Sequence, residues 1–114
     1  MHVTSHQLAR AVKVEIAGEV DMHNSPAVRE HLLAAVGRRP PLILVDLARV
    51  EYIDSSGLAT LVECLQHMAG YGGKLALVGA RRPTMDVFAI ARLDRIFSFY
   101  PSEEEALTAM TPQG

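Results

Sequence analysis

Two short, fully apolar runs constrain the fold of this chain more than any other feature. Residues 42–45 read LILV and residues 75–78 read LALV, and after each run comes a segment whose apolar residues recur at helical spacing. A continuous apolar run of this length is typical of a strand that is covered on both faces of a sheet. Strands that alternate with helices are joined by crossover connections, so the pattern predicts a parallel sheet with helices on its faces.

Weaker patterns complete the order of the predicted elements. The segment 8–18 alternates around Val12, Val14 and Ile16 and predicts a half-buried strand, and residues 2–6 predict an edge strand before it. The other predicted elements are helices over residues 25–36, 55–70 and 83–92, a brief strand over residues 96–99 and a last helix after residue 102. The order indicates a single α/β domain, with a mostly parallel central sheet of four to five strands flanked by about four helices.

Two of the predicted helices begin with recognisable capping residues. Ser25 precedes Pro26, which is typical of an N-cap followed by the first helical position. Ser102 is followed three residues later by Glu105, which matches the capping box. We therefore expect Ser25 to cap the first helix and Ser102 to cap the last.

The composition excludes several classes of protein. A chain of 114 residues is long enough for one domain with its own core, taken here as residues 1–114. Its net charge of −2 and pI near 6.2 provide no field that would attract nucleic acid or an anionic membrane. The single cysteine, Cys64, excludes an internal disulfide, and the sequence shows no signal peptide and no apolar stretch of roughly 20 residues. We expect a cytoplasmic domain with no nucleic-acid partner and no membrane insertion.

The segment YIDSSGL, residues 52–58, places Asp54, Ser55 and Ser56 between a predicted strand and a predicted helix. Binding sites of open parallel sheets lie at this kind of position. A serine before an amphipathic helix is most often a cap, which stabilises the helix by about 1 kcal/mol. The unpaired N–H groups and the helix dipole also stabilise a phosphate there. Ser55 is therefore a candidate for both roles.

No enzymatic motif accompanies these serines. The chain lacks the G-x-S-x-G elbow of many hydrolases and the glycine-rich loops G-x-x-x-x-G-K-[ST] and G-x-G-x-x-G, which bind phosphates. Its five histidines occur in no spacing that is typical of a metal site. The sequence predicts no catalytic residue, no metal site and no cofactor.

The stretch LVDLARVEYIDSSGL, residues 44–58, resembles the core of STAS domains, and specifically that of bacterial anti-sigma factor antagonists. The resemblance extends over nearly the whole chain. AGEVD at residues 17–21 is similar to the G-E-L-D step of the family, GGKL at residues 72–75 to its G-G turn, and LDRIF at residues 93–97 to its helix-to-strand exit.

The resemblance implies a protein that switches between partners. Such antagonists bind an anti-sigma factor that is also a serine kinase, and they thereby release a sigma factor. The kinase phosphorylates the serine directly after the motif aspartate, which is Ser55 in this sequence, and a PP2C-type phosphatase removes the phosphate. Phosphorylation switches the antagonist off.

The same resemblance implies a set of partner-binding residues. Asp54 is the carboxylate beside the phosphoacceptor, and Asp21 lies on the neighbouring loop. Ser56, Gly57 and Leu58 begin the helix that contacts the partner. The phosphate adds about −1.5 to −2 charges beside Asp54, so we expect inactivation by repulsion at the interface and not by refolding.

The segment from Pro83 to Leu93 departs from the family pattern. Pro83 is displaced by one position, Asp86 stands where basic residues are frequent, and Ala91-Arg92-Leu93 replaces a T-G-L step. An arginine in the left-handed conformation that glycine adopts costs on the order of 1 kcal/mol, unless the helix ends differently. These differences concern the choice of partner more than the fold.

One alternative function remains open within the same family. STAS domains also serve as regulatory subunits of lipid or solute transport complexes, without phosphorylation. The sequence Asp-Ser-Ser-Gly at residues 54–57, in place of the Asp-Ser-Ala-Gly often found there, favours the anti-sigma factor antagonist.

Overall fold

Strands and helices alternate along the chain in the computed structural model, which describes residues 1–110. The strands are β1 (His2–Gln7), β2 (Val12–Val20), β3 (Leu42–Ile53), β4 (Lys74–Val78) and β5 (Ser98–Tyr100). The helices are α1 (Ser25–Gly37), α2 (Ser55–Ala69), α3 (Arg82–Ile90) and α4 (Glu103–Met110). The predicted α/β class is confirmed. The last four residues of the expected domain, 111–114, lie outside the described part of the chain.

The five strands form one sheet in the order β1-β2-β3-β4-β5. β1 pairs antiparallel with β2, and the three remaining pairings are parallel. The mostly parallel sheet and the early edge strand are therefore confirmed. Because β2 and β3 are parallel, the loops that follow them lie next to each other at the carboxyl edge of the sheet.

Two apolar clusters cover the two faces of the sheet. In β3, Ile43 and Val45 belong to the larger cluster, which includes the buried apolar side chains of α1, α2 and α3. Leu42 and Leu44 belong to the smaller cluster, which includes Ala106 of α4. The LILV run is apolar at every position because successive side chains of a strand point to opposite faces, and both faces are covered here.

The strand β3 extends eight residues beyond the predicted segment 42–45. Its register against β2 shifts twice, and each shift inserts one extra residue into β3, between Asp46 and Arg49 and between Val50 and Tyr52. At the first shift, the backbone N–H of Ala48 donates to Asp46 Oδ1 at 2.9 Å. Such bulges break the alternation of period two, which is why the sequence pattern did not reveal the full strand.

The start of α1 differs from the prediction by one residue. The N-cap is Asn24, and Ser25 is the first helical residue, followed by Pro26. The backbone N–H of Ser25 donates to the carbonyl of Asp21 at 2.8 Å, which closes a turn before the helix. The prediction that Ser25 is the N-cap is wrong because this turn, and not the serine hydroxyl, leads the chain into the helix.

The end of α3 contains an arginine in the left-handed conformation. The helix stops at Ile90, two residues before the predicted end, and Arg92 has a φ of 61°. Backbone N–H groups of Arg92 and Leu93 donate to the carbonyls of Ala89 at 3.0 Å and Phe88 at 2.8 Å. This is the bonding pattern of a Schellman motif, in which glycine is usual. The arginine therefore costs on the order of 1 kcal/mol relative to glycine.

The helix α4 begins as the capping pattern predicted. The Ser102 hydroxyl accepts the backbone N–H of Glu105 at 3.2 Å. A salt bridge of 2.9 Å between Lys13 Nζ and Glu103 Oε1 joins the helix to β2. No helix within residues 1–110 has the length and apolar character needed to cross a membrane.

Candidate functional site at the carboxyl edge of the sheet

The backbone of Asp54 connects three elements at the carboxyl edge. Its N–H donates to the carbonyl of Val20 at 3.0 Å, which joins the end of β3 to the end of β2. Its carbonyl accepts the N–H of Leu58 at 3.1 Å, which is the first hydrogen bond of α2. The position of this helix start is therefore fixed by the sheet.

The side chain of Asp54 caps α2. Its Oδ1 atom accepts the backbone N–H of Ser56 at 2.9 Å, that of Gly57 at 3.3 Å and the hydroxyl of Ser56 at 2.5 Å. An aspartate in extended backbone conformation before a helix is a preferred N-cap. The prediction that Ser55 caps the helix is wrong: Asp54 is the cap, and Ser55 is the first helical residue.

The two serines of the motif therefore have different environments. Ser55 is exposed, and its hydroxyl takes part in no hydrogen bond within residues 1–110. Ser56 is half-buried, and its hydroxyl donates to Asp54. Only the Ser55 hydroxyl is free to react with a group that approaches from outside.

These contacts lower the pKa of Asp54. The largest cause is the hydrogen bond from the Ser56 hydroxyl, and the backbone N–H groups of Gly57, Ser56 and Met22 act in the same direction. Each contact stabilises the charged carboxylate over the protonated acid. Asp54 is therefore an anion at neutral pH, directly beside Ser55.

Asp21 has a similar role in the adjacent loop. Its Oδ1 atom accepts the backbone N–H groups of His23 at 2.9 Å and Asn24 at 3.2 Å. The side chain of Asn24 in turn donates to the carbonyl of Glu19 at 2.7 Å and accepts the N–H of Asp21 at 2.9 Å. The structure thus brings Asp21 and Asp54 to the same edge, and both carboxylates hold backbone groups in place.

Gly57 and Leu58 are buried, and the packing at Gly57 was not predicted from the sequence. A Cβ atom at this position would lie 2.7 Å from Ile53 Cγ1 and 2.8 Å from Val20 Cγ1. The absence of a side chain lets the first turn of α2 approach the ends of β2 and β3 closely. The signal in the sequence is a glycine inside the first turn of a helix, where it lowers helix stability without a packing reason.

An apolar groove begins at Ser55, and sequence reasoning missed it. The groove has a volume of about 400 Å³ and is lined by Ser55, Leu58, Ala59 and Val62 of α2 and by Ala91 and Leu93 after α3. The spacing of Leu58 and Val62 by four residues indicates one face of a helix. Their partners across the groove come from a segment distant in sequence, so the groove itself required the structure.

A bidentate ion pair joins α1 and α2, the helices that follow the carboxyl ends of β2 and β3. Arg29 of α1 donates from Nε to Glu63 Oε1 and from Nη2 to Glu63 Oε2, both at 2.7 Å. The hydrogen bond from Arg29 lowers the pKa of Glu63, and the charge of Arg29 acts in the same direction. Glu63 also lies on the groove. The relative position of α1 and α2 is therefore supported beside the site.

Neither Cys64 nor a cluster of metal ligands provides a second site within residues 1–110. Cys64 is buried, and burial raises the pKa of its thiol to about 12, so the thiol stays protonated. Within residues 1–110, no three side chains of His, Cys, Asp or Glu lie close enough to hold a metal ion.

The chain folds into a single α/β domain that presents the exposed Ser55 at the start of α2. The chain belongs to the STAS domain family, whose profile matches residues 2–106. The resemblance drawn from the sequence is confirmed.

Three proteins that are similar to this chain over most of its length are named as anti-sigma factor antagonists. The chain is 31% identical over 106 residues to an anti-sigma-B factor antagonist of Bacillus subtilis, covering 91% of this chain and 94% of the relative. It is 30% identical over 98 residues to an anti-sigma F factor antagonist of Paenibacillus polymyxa, covering 85% and 84%. A crystal structure of an anti-sigma factor antagonist from Mycobacterium paratuberculosis superposes with a TM-score of 0.88 at 29% identity, over 97% of this chain and 94% of that one.

Proposed function

We propose that this protein is an anti-sigma factor antagonist that binds an anti-sigma factor and is switched off by phosphorylation of Ser55. The observation that carries the proposal is the contrast between the two serines of one motif. Ser55 is exposed with a free hydroxyl, whereas the Ser56 hydroxyl is bonded to Asp54. The names of the relatives support the same general role.

The groove beside Ser55 supports a protein partner. A kinase that transfers phosphate to Ser55 must cover the surface around its hydroxyl, and the apolar groove starts at that residue. Exposed apolar patches and grooves mark sites at which proteins interact with partners. We therefore assign the anti-sigma factor, acting as a serine kinase, to the surface that contains Ser55 and the groove. Asp21 and Asp54 lie at its edge and Leu58 forms part of its floor, whereas Ser56 and Gly57 shape the helix start.

The structure suggests how the phosphate acts. The backbone N–H groups of Ser56 and Gly57 already donate to Asp54, so they cannot turn to a phosphate on Ser55 unless Asp54 is displaced. The added charge of about −1.5 to −2 then faces outward, next to the Asp54 carboxylate. Repulsion and steric conflict at the interface follow, with the fold unchanged. A PP2C-type phosphatase restores the active form by hydrolysis of the exposed phosphoester.

The first test is transfer of labelled phosphate from [γ-32P]ATP by the serine-kinase anti-sigma factors of the same cell. We expect label on the wild-type chain and on Ser56→Ala, which is the matched control one residue away, and none on Ser55→Ala. Equal labelling of Ser55→Ala would contradict the site. No label on the wild type would favour a STAS subunit that regulates a transport complex without phosphorylation.

The second test concerns the switch. Ser55→Asp places a charge at the site and should weaken binding of the anti-sigma factor, whereas Ser55→Ala should bind it as the wild type does and remain permanently active. Circular dichroism and amide exchange of the phosphorylated chain should match those of the unmodified chain. A largely unfolded phosphorylated form would show that phosphorylation inactivates the protein by disrupting its fold instead.

A further inference from the structure

The strand β1 leaves one edge of the sheet open. Its six residues pair with β2 in an uninterrupted antiparallel register, from His2 opposite Ala17 to Gln7 opposite Val12. No strand within residues 1–110 pairs with its outer side. In an antiparallel pair, alternate residues direct their N–H and C=O groups away from the neighbouring strand. β1 therefore presents a row of unpaired backbone groups along an exposed edge.

The opposite edge of the sheet is protected. β5 has three residues, is followed directly by Pro101 and packs against α4. Natural proteins protect edge strands by shortness, proline, charged side chains, bulges or a covering element. β1 reads HVTSHQ and contains no proline, lysine, arginine or carboxylate, and its pairing has no bulge. The protective devices are present at one edge and absent at the other.

Both faces of the sheet have free space beside β1. On one face, His2, Thr4 and His6 line an open cavity of about 480 Å³ together with Glu15 and Asp46. On the other face, a cavity of about 220 Å³ is lined by Ser5 together with Val12, His31, Ala34, Ala35 and Arg38. Successive side chains of an added strand point to opposite faces. The side chains of β1 are accordingly exposed on both faces, apart from the half-buried Val3.

We propose that β1 pairs antiparallel with β1 of a second copy of this chain, about a two-fold axis at Thr4. In this register Thr4 lies opposite Thr4 of the second copy, Val3 opposite Ser5, and His2 opposite His6. A Thr–Thr pair at directly opposite positions stabilises a sheet through its hydrogen bond. The strand carries no lysine, arginine or carboxylate, so two copies bring none of these charges together along β1.

The pairing forms a ten-stranded sheet with the α1 helices of both copies on the same face. The two α1 helices lie on the same face only if residues directly opposite each other are both even-numbered or both odd-numbered. The register at Thr4 meets this condition. The arrangement is isologous, since each copy uses the same strand. The β1 pairing involves no residue of the site around Ser55, so one dimer presents two copies of that site. The inference is therefore independent of the proposed function.

The test is sedimentation velocity of the whole chain from low to high micromolar concentration. We expect a concentration-dependent equilibrium between monomer and dimer. Thr4→Lys, at an exposed position, places two like charges opposite each other and should weaken association by about tenfold. Ser98→Lys puts the same charge on the opposite edge strand and should leave the equilibrium unchanged.

A charge-pair experiment tests the register. Thr4→Glu should weaken association in the same way as Thr4→Lys, and an equimolar mixture of the two variants should associate more tightly than either alone. Circular dichroism on each variant verifies that the chain still folds. The inference is overturned if the wild type stays monomeric throughout, or if a dimer forms that neither variant weakens. It is equally overturned if folded variants dissociate but their mixture shows no recovery.

Discussion

Two strand-to-helix junctions lie side by side at the carboxyl edge, and they differ in what they do with a serine. β2 leads through Asp21 to α1, whose first residue is Ser25, and β3 leads through Asp54 to α2, whose first residue is Ser55. Ser25 is only 7% exposed, whereas Ser55 is exposed. The same residue type at the same helical position is therefore inaccessible in one junction and free in the other.

The difference arises from the residues between strand and helix. After β2, Asp21 organises a turn whose backbone bonds lead into α1. After β3, Asp54 caps α2 directly, and no turn intervenes. Asp54 alone lies between β3 and α2, and Ser55 is exposed at the surface of the edge. The accessible hydroxyl is therefore a product of the junction and not of the serine itself.

The largest effect is expected at the third residue of each helix. Gly57→Ala introduces a Cβ atom that would meet Ile53 and Val20 at less than 3.0 Å, so we expect it to lower the free energy of unfolding by about 1–3 kcal/mol. Ala27→Gly, at the exposed third residue of α1, should cost about 1 kcal/mol or less. Urea unfolding measures both. An equal or smaller loss for Gly57→Ala would show that the two helix starts are packed alike.

The next effect separates the two aspartates. Asp54→Ala removes the acceptor for the backbone N–H groups of Ser56 and Gly57, so their amide exchange should accelerate. Asp21→Ala should accelerate exchange at His23 and Asn24 and leave the start of α2 protected. Exchange detected by NMR resolves these amides. Loosening of both junctions by either variant would mean that they act as one unit.

A smaller effect is expected in acid. Asp54 has a lowered pKa in the folded chain, so the folded carboxyl group binds fewer protons than the unfolded one, and its stabilisation increases with pH. The contribution is complete above the ordinary aspartate value of about 3.9 and is lost as the pH falls through the lower pKa of the folded state. The difference in unfolding free energy between wild type and Asp54→Asn should therefore shrink below about pH 4. A difference that stays constant there would contradict the assignment.

The smallest effect concerns a single hydroxyl. Ser56→Ala removes the hydrogen bond that contributes most to the low pKa of Asp54, so that pKa should rise toward its ordinary value. Titration of the Asp54 carboxyl carbon by NMR follows the change. Ser25→Ala, a serine variant at the other junction, should leave the titration of Asp54 unchanged.

Features with a local cause were predictable from the sequence. The LILV and LALV runs predicted central strands, and Ser102 with Glu105 predicted the start of α4, because apolar runs and capping residues act through neighbours in the chain. The length of β3 was not predictable, because its bulges depend on the pairing with β2. The packing of Gly57 and the groove between α2 and the segment after α3 involve residues far apart in sequence.

The class of fold, the family and the motif that presents a serine could be read from the amino-acid sequence, because they follow from periodicity and from residues that are contiguous in the chain. Which polar groups of that motif remain without a hydrogen bond depends on the folded structure. The Asp54 carboxylate caps α2 and accepts the Ser56 hydroxyl, whereas the Ser55 hydroxyl stays exposed and makes no such bond. A carboxylate accepts hydrogen bonds only from donors that lie within bonding distance. The Asp54 carboxylate at the end of β3 lies within that distance of the first amides of α2, and the order of residues along the chain does not define this distance.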